Sequence, residues 1–439
     1  MNRSLLATAA ACLAATELGV VSVTYQQVVA DLPGSGRLAP TLLLASYPAV
    51  FAGMLLIGGW LAERVGANRG TVYGLVALGA ASALCGVSWN IDSLIIFRIL
   101  QAGSAAVIVA SSLALISLSV DPPDRPRAVA AWVTAQAVAL AVGPPIFALL
   151  DLGFGWRSLF LAQVPIALVL GAALLTTGPG PRQTASRSGF SLRDSASVGL
   201  IGLGIVVVAG AKTPTVLVLA LAVSSIAVGV VAIASTPSRS NWSAVLNSRQ
   251  FRLPLWGLSA IGAAFIALFL RLTTAVESLG ASTAMTVGLS LLPFTLGIAA
   301  GSFLARIALR TVTPSAVAAV ASSSAAAAAL ALALTTIESS SSATFKALWL
   351  TWTAVAGIGI GGSMPVFNGM ALAVCPPALV PVAGGLLQTA RQVAGAFLAA
   401  LVLRFDSAPT DTVGMTIVSI TALLATGIAV LAHWQIAKA

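Results

Sequence analysis

Charged side chains are scarce in this chain: aspartate, glutamate, lysine and arginine make up 8% of its 439 residues. A soluble domain keeps about a quarter of its residues charged, so these side chains are too few to cover a water-facing surface. Histidine occurs once, as His433, and cysteine three times, as Cys12, Cys85 and Cys375. The cysteines lie in or beside apolar runs, with neither disulfide nor metal-site spacing, and read as small buried hydrophobes. No phosphate-loop motif is present, which argues against a nucleotide-driven pump. The nearest thing to an acidic pair, Asp121 and Asp124 in "DPPD", reads as a turn. No enzyme, metal site or cofactor is therefore expected. The net charge of +10 comes without a basic patch or stripe, so nucleic acid is not expected as a partner.

Apolar residues dominate instead, at 58% with a mean hydropathy of +1.02. A membrane-spanning helix needs about 20 of them in a row. On that rule the chain divides into fourteen segments, at roughly 5–30, 39–62, 70–88, 92–118, 127–151, 156–177, 195–211, 213–235, 253–276, 281–308, 313–334, 344–372, 380–404 and 413–434. Residues 195–235 as one helix would measure about 60 Å, twice the bilayer core; Lys212 and Pro214 supply a turn. The start, "MNRSLLATAAACLAA", has the composition of a signal peptide but continues through "LGVVSVTYQQVVA". It reads as a first span that stays attached. Of the 22 lysines and arginines, Arg98, Arg271 and Arg391 fall well inside spans. Only Arg37, Arg157, Lys212, Lys346 and Arg404 lie in loops or at span ends on one side, and fourteen lie on the other. That bias puts both termini in the cytoplasm. The long polar stretches 178–194 and 236–252 bracket spans seven and eight, so the layout is a six-helix half over 1–180, an inserted pair over 181–250 and a second six-helix half over 251–439.

The scarce charge is not spread evenly. "GGWLAERVGANRG", residues 58–70, places Glu63, Arg64 and Arg69 in one break between two apolar runs, with Gly59 and Gly66 beside them. A weak echo, "GSFLARIALR", follows the second helix of the last six. Paired halves of this kind are common in secondary transporters. Four ionisable residues remain well inside spans, away from their ends: Glu17, Arg98, Arg271 and Arg391. Such groups face a protein interior or an aqueous cavity. Glu17 is the one acid among them and lies at a depth where Arg98 can reach it, directly or through water. A carboxylate placed between desolvation and a nearby cation can load and release a proton as its surroundings change; the alternative is a static buried ion pair. Arg271 and Arg391 read equally well as substrate contacts and as links between helices. Glycines in "GIGIGGSMP" and "VAGGLLQTARQVAGAF" let helices approach closely.

These residues resemble a known family. Gly59, Leu61, Ala62, Glu63, Arg64, Gly66 and Arg69 resemble the signature loop between helices two and three of the major facilitator superfamily. Arg98, Gln101 and Gly103 resemble its fourth-helix signature, and Gly143 and Pro144 the antiporter signature of helix five. "WRSLFLAQVP", "GLSLLP" and "GLLQTARQVAGA" are similar to later landmarks, nearest the fourteen-helix drug:proton antiporters. Departures are local: Ala67 and Asn68 stand where basic residues are usual, Pro145 and Phe147 where further glycines are usual, and Glu17 and Ser22 where an aspartate and an asparagine are usual.

The resemblance implies an all-α membrane protein with two six-helix halves plus an inserted pair, exporting small organic molecules against protons by alternating access. It implies that the signature loop touches the other half and holds one access state; simple topological anchoring by Arg64 and Arg69 is the plainer alternative. Glu17 and Arg98 are the expected proton-coupling residues. Tyr25, Gln26, Gln27, Gln136, Arg271, Asn368 and Arg391 are the expected cavity polars. The expected partners are a small molecule, protons and the lipid of a bacterial cytoplasmic membrane, with the protein a monomer. An importer and a non-transporting sensor of the same fold are the alternatives. Lipophilic cations suit the subfamily; three intramembrane arginines leave anionic and neutral compounds equally open.

Overall fold

The computed structural model describes residues 3–33, 39–178, 196, 248–278, 284–335, 343–405 and 413–436. Among these residues every long element is an α-helix: α1 (Arg3–Asp31), α2 (Ala39–Val65), α3 (Ala67–Gly86), α4 (Ile91–Leu118), α5 (Arg125–Phe154), α6 (Arg157–Leu161), α7 (Gln163–Thr176), α8 (Arg249–Ser278), α9 (Ala284–Ala308), α10 (Pro314–Thr335), α11 (Ala343–Ala373), α12 (Val380–Phe405) and α13 (Val413–Ile436). Seven stretches among the described residues are both long and apolar enough to cross a bilayer. The expected spans 195–211 and 213–235 lie, apart from Ala196, outside the described residues.

Local chemistry sets the helix ends. α4 starts at a capping box: Asn90 Oδ1 accepts from Ser93 N at 2.7 Å, and Asn90 N donates to Ser93 Oγ at 3.3 Å. These bonds satisfy donors that a helix start leaves orphaned. The sixth expected span arrives as α6 and α7, with Ala162 between them still helical at φ −62°, ψ −26°. Pro165 falls early in α7, where its missing N–H does little harm. Pro365, inside α11, deprives the carbonyl four residues earlier of its helical donor. That carbonyl, on Gly361, instead accepts from Ser302 Oγ of α9 at 2.7 Å. In an apolar surrounding each freed backbone group needs such a partner.

The helices form two compact units. The first contains 1–119, 142–242 and 376–389; the second contains 120–141, 243–375 and 390–439. In the first, α4 is central and packs against α1, α2 and α3, while α3 also packs on α7. One end is tied by the "WR" pair: Trp156 Nε1 donates to Asp31 Oδ2 at 2.9 Å, and Arg157 Nη2 to Ser88 O at 3.2 Å. At the other end Arg3 donates to the Thr177 carbonyl at 2.6 Å, and Asn68 Nδ2 to those of Leu174 and Gly178 at 3.4 Å each. Asn68 thus helps to cap the end of α7.

In the second unit α11 is central, packed against α8, α9 and α10, and α13 packs on α8 and α10. The α9–α11 crossing is glycine on glycine. A Cβ on Gly297 or Gly301 of α9 would strike the carbonyls of Ala354 or Ile358, and one on Gly357 or Gly361 of α11 would strike those of Phe294 or Ile298. The four-residue spacing on both helices is the small-xxx-small pattern of membrane helix pairs. Cys85 and Cys375 are buried, Cys12 is half-buried, and all three are free thiols. Large apolar side chains such as Val169, Leu175, Phe397 and Leu424 stay exposed, as suits a surface facing lipid rather than water.

Candidate functional site

The buried polar centre of the first unit is assembled from six helices. Glu17 of α1 is fully buried and Arg98 of α4 nearly so. Arg98 Nη1 donates to Glu17 Oε2 at 3.0 Å, and Nη2 donates to the Glu17 carbonyl at 3.2 Å. The contact expected from depth alone is therefore direct. One turn along α4, Gln101 Oε1 accepts from the same Nη1 at 2.6 Å. Gln101 Nε2 donates to Ser82 Oγ of α3 at 2.8 Å, and Ser82 Oγ donates to Gln163 Oε1 of α7 at 3.3 Å. A chain of hydrogen bonds thus joins α1 to α7 through α4 and α3. The guanidinium also lies 4.2 Å from the ring centroid of Tyr47 (α2) and 5.9 Å from that of Phe160 (α6), so two aromatic faces supplement its one carboxylate.

Tyr47, Ser82, Phe160 and Gln163 are additions that the residue pattern did not single out. Gln163 carried a signal, as a polar residue inside an apolar span. Ser82 and Tyr47 carried little, because hydroxyls are ordinary in spans. Four buried polar atoms of this centre have no hydrogen-bond partner among the described residues: Glu17 Oε1, Arg98 Nε, Tyr47 Oη and Gln163 Nε2. A buried unpaired polar atom is costly, so the centre is polar beyond what its own bonds satisfy.

Removing one member of a buried pair leaves the other charge uncompensated, at about 3–5 kcal/mol. Arg98→Met is therefore expected to lower stability by about that amount. Glu17→Gln/Arg98→Met, which removes both charges, should recover most of the loss. Thermal unfolding of the purified protein in detergent, run as a double-mutant cycle, checks both.

The signature loop is placed as its spacing predicts, at the junction of α2 and α3. Gly66 alone separates the helices, at φ 92° and ψ 142°, a backbone region nearly closed to residues with a Cβ. A Cβ there would meet nothing within 4 Å, so the cost of Gly66→Ala is backbone strain alone. We expect a loss of about 1–3 kcal/mol, read as a lower melting temperature in the same assay. Arg64 lies 5.3 Å over the ring of Trp60. Glu63 is half-buried and Arg69 exposed. Gly59 faces Pro381 of the same unit, where a Cβ would strike the Pro381 carbonyl.

The remaining expected residues are dispersed. Gly103 faces Met54 in ordinary contact, and Gly143 of α5 lies against Thr16 of α1. α5 runs unbroken through Pro144 and Pro145. Gln136 Nε2 donates to the Trp132 carbonyl of its own helix at 3.3 Å. In the second unit Arg271 is buried, and Arg391 of α12 occupies a space that a side chain at Gly262 would fill, with Nη1 3.9 Å from Met364 Sδ. Asn368, one turn beyond Met364, is buried, and its Oδ1 has no partner among the described residues. Tyr25, Gln26 and Gln27 lie on α1, but their side chains lie outside the described residues.

An Arg-bearing fourth helix paired to the first, and a glycine-hinged charged loop after the second, agree with the match of residues 2–399 to the family model of the Major Facilitator Superfamily. The chain belongs to this superfamily. It is a multi-pass membrane protein. Curated relatives include a methylenomycin A resistance protein of Bacillus subtilis, 38% identical over 144 residues, covering 32% of this chain and 31% of the relative. A probable actinorhodin transporter of Streptomyces coelicolor is 36% identical over 162 residues, 36% of this chain and 28% of the relative. The multidrug export protein EmrB of Escherichia coli is 27% identical over 186 residues, 42% of this chain and 36% of the relative. The matched stretches thus span about a third of the length of each relative. Among solved structures, the proton:xylose symporter XylE superposes with a TM-score of 0.69 at 14% identity, over 97% of this chain and 94% of that one. A human organic anion transporter of the superfamily gives 0.68 at 14% identity, over 97% and 98%. At that identity the likeness speaks for the major facilitator fold.

Proposed function

We propose that this protein is a proton-coupled exporter that exchanges inward protons for the outward movement of a small organic molecule by alternating access. The observation that carries the reading is the buried Glu17–Arg98 pair, 3.0 Å apart at 0% and 2% side-chain exposure, in a chain of this superfamily. Charge is costly at that depth and kept there for use. The oxygen turned away from Arg98, Oε1, has no donor among the described residues and is the atom that would accept the proton. Protonation removes the charge that holds Arg98, so α1 and α4 are held together differently in the two protonation states. Resistance and export relatives support the outward direction.

The proposal includes fourteen spans, both termini in the cytoplasm, and a monomer in a bacterial cytoplasmic membrane. It divides the chain at 1–180, 181–250 and 251–439. Tyr25, Gln26, Gln27, Gln136, Arg271, Asn368 and Arg391 would contribute polarity to the substrate cavity. The loop of Gly59, Glu63, Arg64, Gly66 and Arg69 would hold one access state; the packing of Gly59 on Pro381, from the last six helices, supports this.

The test uses everted vesicles with an imposed proton gradient and a panel of cationic, neutral and anionic compounds. Accumulation against the compound's own gradient is the expected result. Movement of a compound in the same direction as the protons would make the protein a symporter. No gradient-driven movement across the panel would favour a non-transporting sensor.

A further inference from the structure

The first turn of α5 carries two arginines that proton coupling does not use. Arg125 is 2% exposed. Its Nη1 donates to the Leu372 carbonyl in the last turn of α11 and, at 3.2 Å, to that of Cys375 just beyond. Arg127 turns the other way: Nε and Nη2 both donate to the Leu309 carbonyl, just past the end of α9, at 3.0 and 2.6 Å, while Nη1 binds Asp124 at 2.8 Å. Between them Pro126 lies so close to Gly369 that a Cβ there would strike its Cα. Three consecutive residues therefore sit on the ends of two helices. Those ends offer carbonyls beyond the regular helix ladder and the negative pole of a helix, and each receives a guanidinium; the Leu372 carbonyl also accepts from Cys375 N at 3.2 Å.

The position in sequence gives the contact its meaning. α5 belongs to the first six helices, α9 and α11 to the last six. The start of α5, up to Ala141, lies in the unit of α9 and α11, and the rest lies in the other unit. If the six-helix halves rock against each other, the two arginines must release these carbonyls. Backbone carbonyls suit that duty, because a cation can leave them without stranding a buried acid. We propose that Arg125 and Arg127 form a latch that holds the transporter closed on this face and releases α9 and α11 when it opens. The inference rests on the alternating-access reading above.

Cys375 is a built-in reporter. It is buried, its Sγ donates to Ala371 O at 3.3 Å, and its carbonyl is one of the two bound by Arg125. Cys85, fully buried in the first unit, reports unfolding. The experiment treats the full chain in vesicles that expose this face with a membrane-impermeant maleimide and maps modified cysteines by mass spectrometry. Wild type is compared with Arg125→Ala, Arg127→Ala and the double variant. Charge-assisted hydrogen bonds of this strength predict roughly tenfold faster labelling of Cys375 in the double variant, with Cys85 still protected. Arg127→Ala, on a half-exposed side chain, should give a smaller rise with no loss of folding. Cys375 and Cys85 rising together, or Cys375 not changing in any variant, would overturn the latch. Labelling needs neither substrate nor proton gradient. Active transport with an unresponsive Cys375 therefore removes the latch alone, and a responsive Cys375 without transport removes the exporter reading alone.

Discussion

Replacing Glu17 by glutamine is expected to abolish proton-driven transport while leaving the protein folded. The two side chains have the same shape, and the amide oxygen of glutamine can still accept from Arg98 Nη1, now 3.0 Å from Oε2. What glutamine cannot do is exchange a proton. With the charge gone, Arg98 loses its counter-ion, at about 3–5 kcal/mol and a lower melting temperature, but it keeps its bond to Gln101 at 2.6 Å and its place over Tyr47 at 4.2 Å, so the centre does not collapse. In proteoliposomes with an imposed proton gradient, uptake should fall to the level of empty liposomes. Binding of the transported compound should persist, and Cys85 should stay protected from labelling. Full gradient-driven uptake by Glu17→Gln would show the pair to be structural and would remove the proposed mechanism. Glu17→Asp tests position separately from charge: it keeps a titratable group but shortens the reach to Arg98, so partial activity is the expected result.

The second large effect is structural. Gly301→Val should prevent the second unit from assembling. The missing side chain of Gly301 leaves room for the Ile358 carbonyl, and the reciprocal clearances at Gly297, Gly357 and Gly361 lock the two backbones together along two turns. A branched side chain cannot escape by a rotamer change, because the obstruction is backbone. The helices must separate, which also withdraws Ser302 from the Gly361 carbonyl that Pro365 leaves unpaired. Overpacking a core typically costs about 1–3 kcal/mol; a backbone clash with a lost buried hydrogen bond should exceed that range. Gel filtration of the detergent-solubilised protein should show aggregate in place of a single peak. Gly427→Val is the control, since a Cβ at Gly427 meets nothing within 4 Å. Equal behaviour of the two variants would mean that the crossing does not depend on its glycines.

Much of this arrangement is legible in the residue pattern, for reasons that differ from place to place. The junction at Gly66 follows from a glycine between two apolar runs, because only glycine tolerates its backbone angles. The glycines of α11 signal a close helix approach, but only the fold shows α9 as the partner. The Glu17–Arg98 pair follows from the expense of isolated charge in a bilayer, which leaves two opposite charges at one depth little choice but each other. Gln101 belongs to the helix-four pattern, yet its link through Ser82 to Gln163 joins residues far apart in sequence, and no spacing rule connects them. The latch is the clearest case of what a sequence hides. Arg125 and Arg127 look like ordinary loop cations, and their partners are main-chain carbonyls, which every residue possesses and none advertises.

That this is a many-helix membrane protein, where most of its helices begin and end, and which few charges lie deep within them can all be read from the residues. Composition and period are enough for that, because a bilayer demands long apolar helices and penalises every exception. Beyond the Glu17–Arg98 pair, which polar residues meet was settled only by the packed fold. Contacts across the chain depend on how helices rotate and pack, and these are set by small side chains whose identities are nearly interchangeable until the facing helix is known.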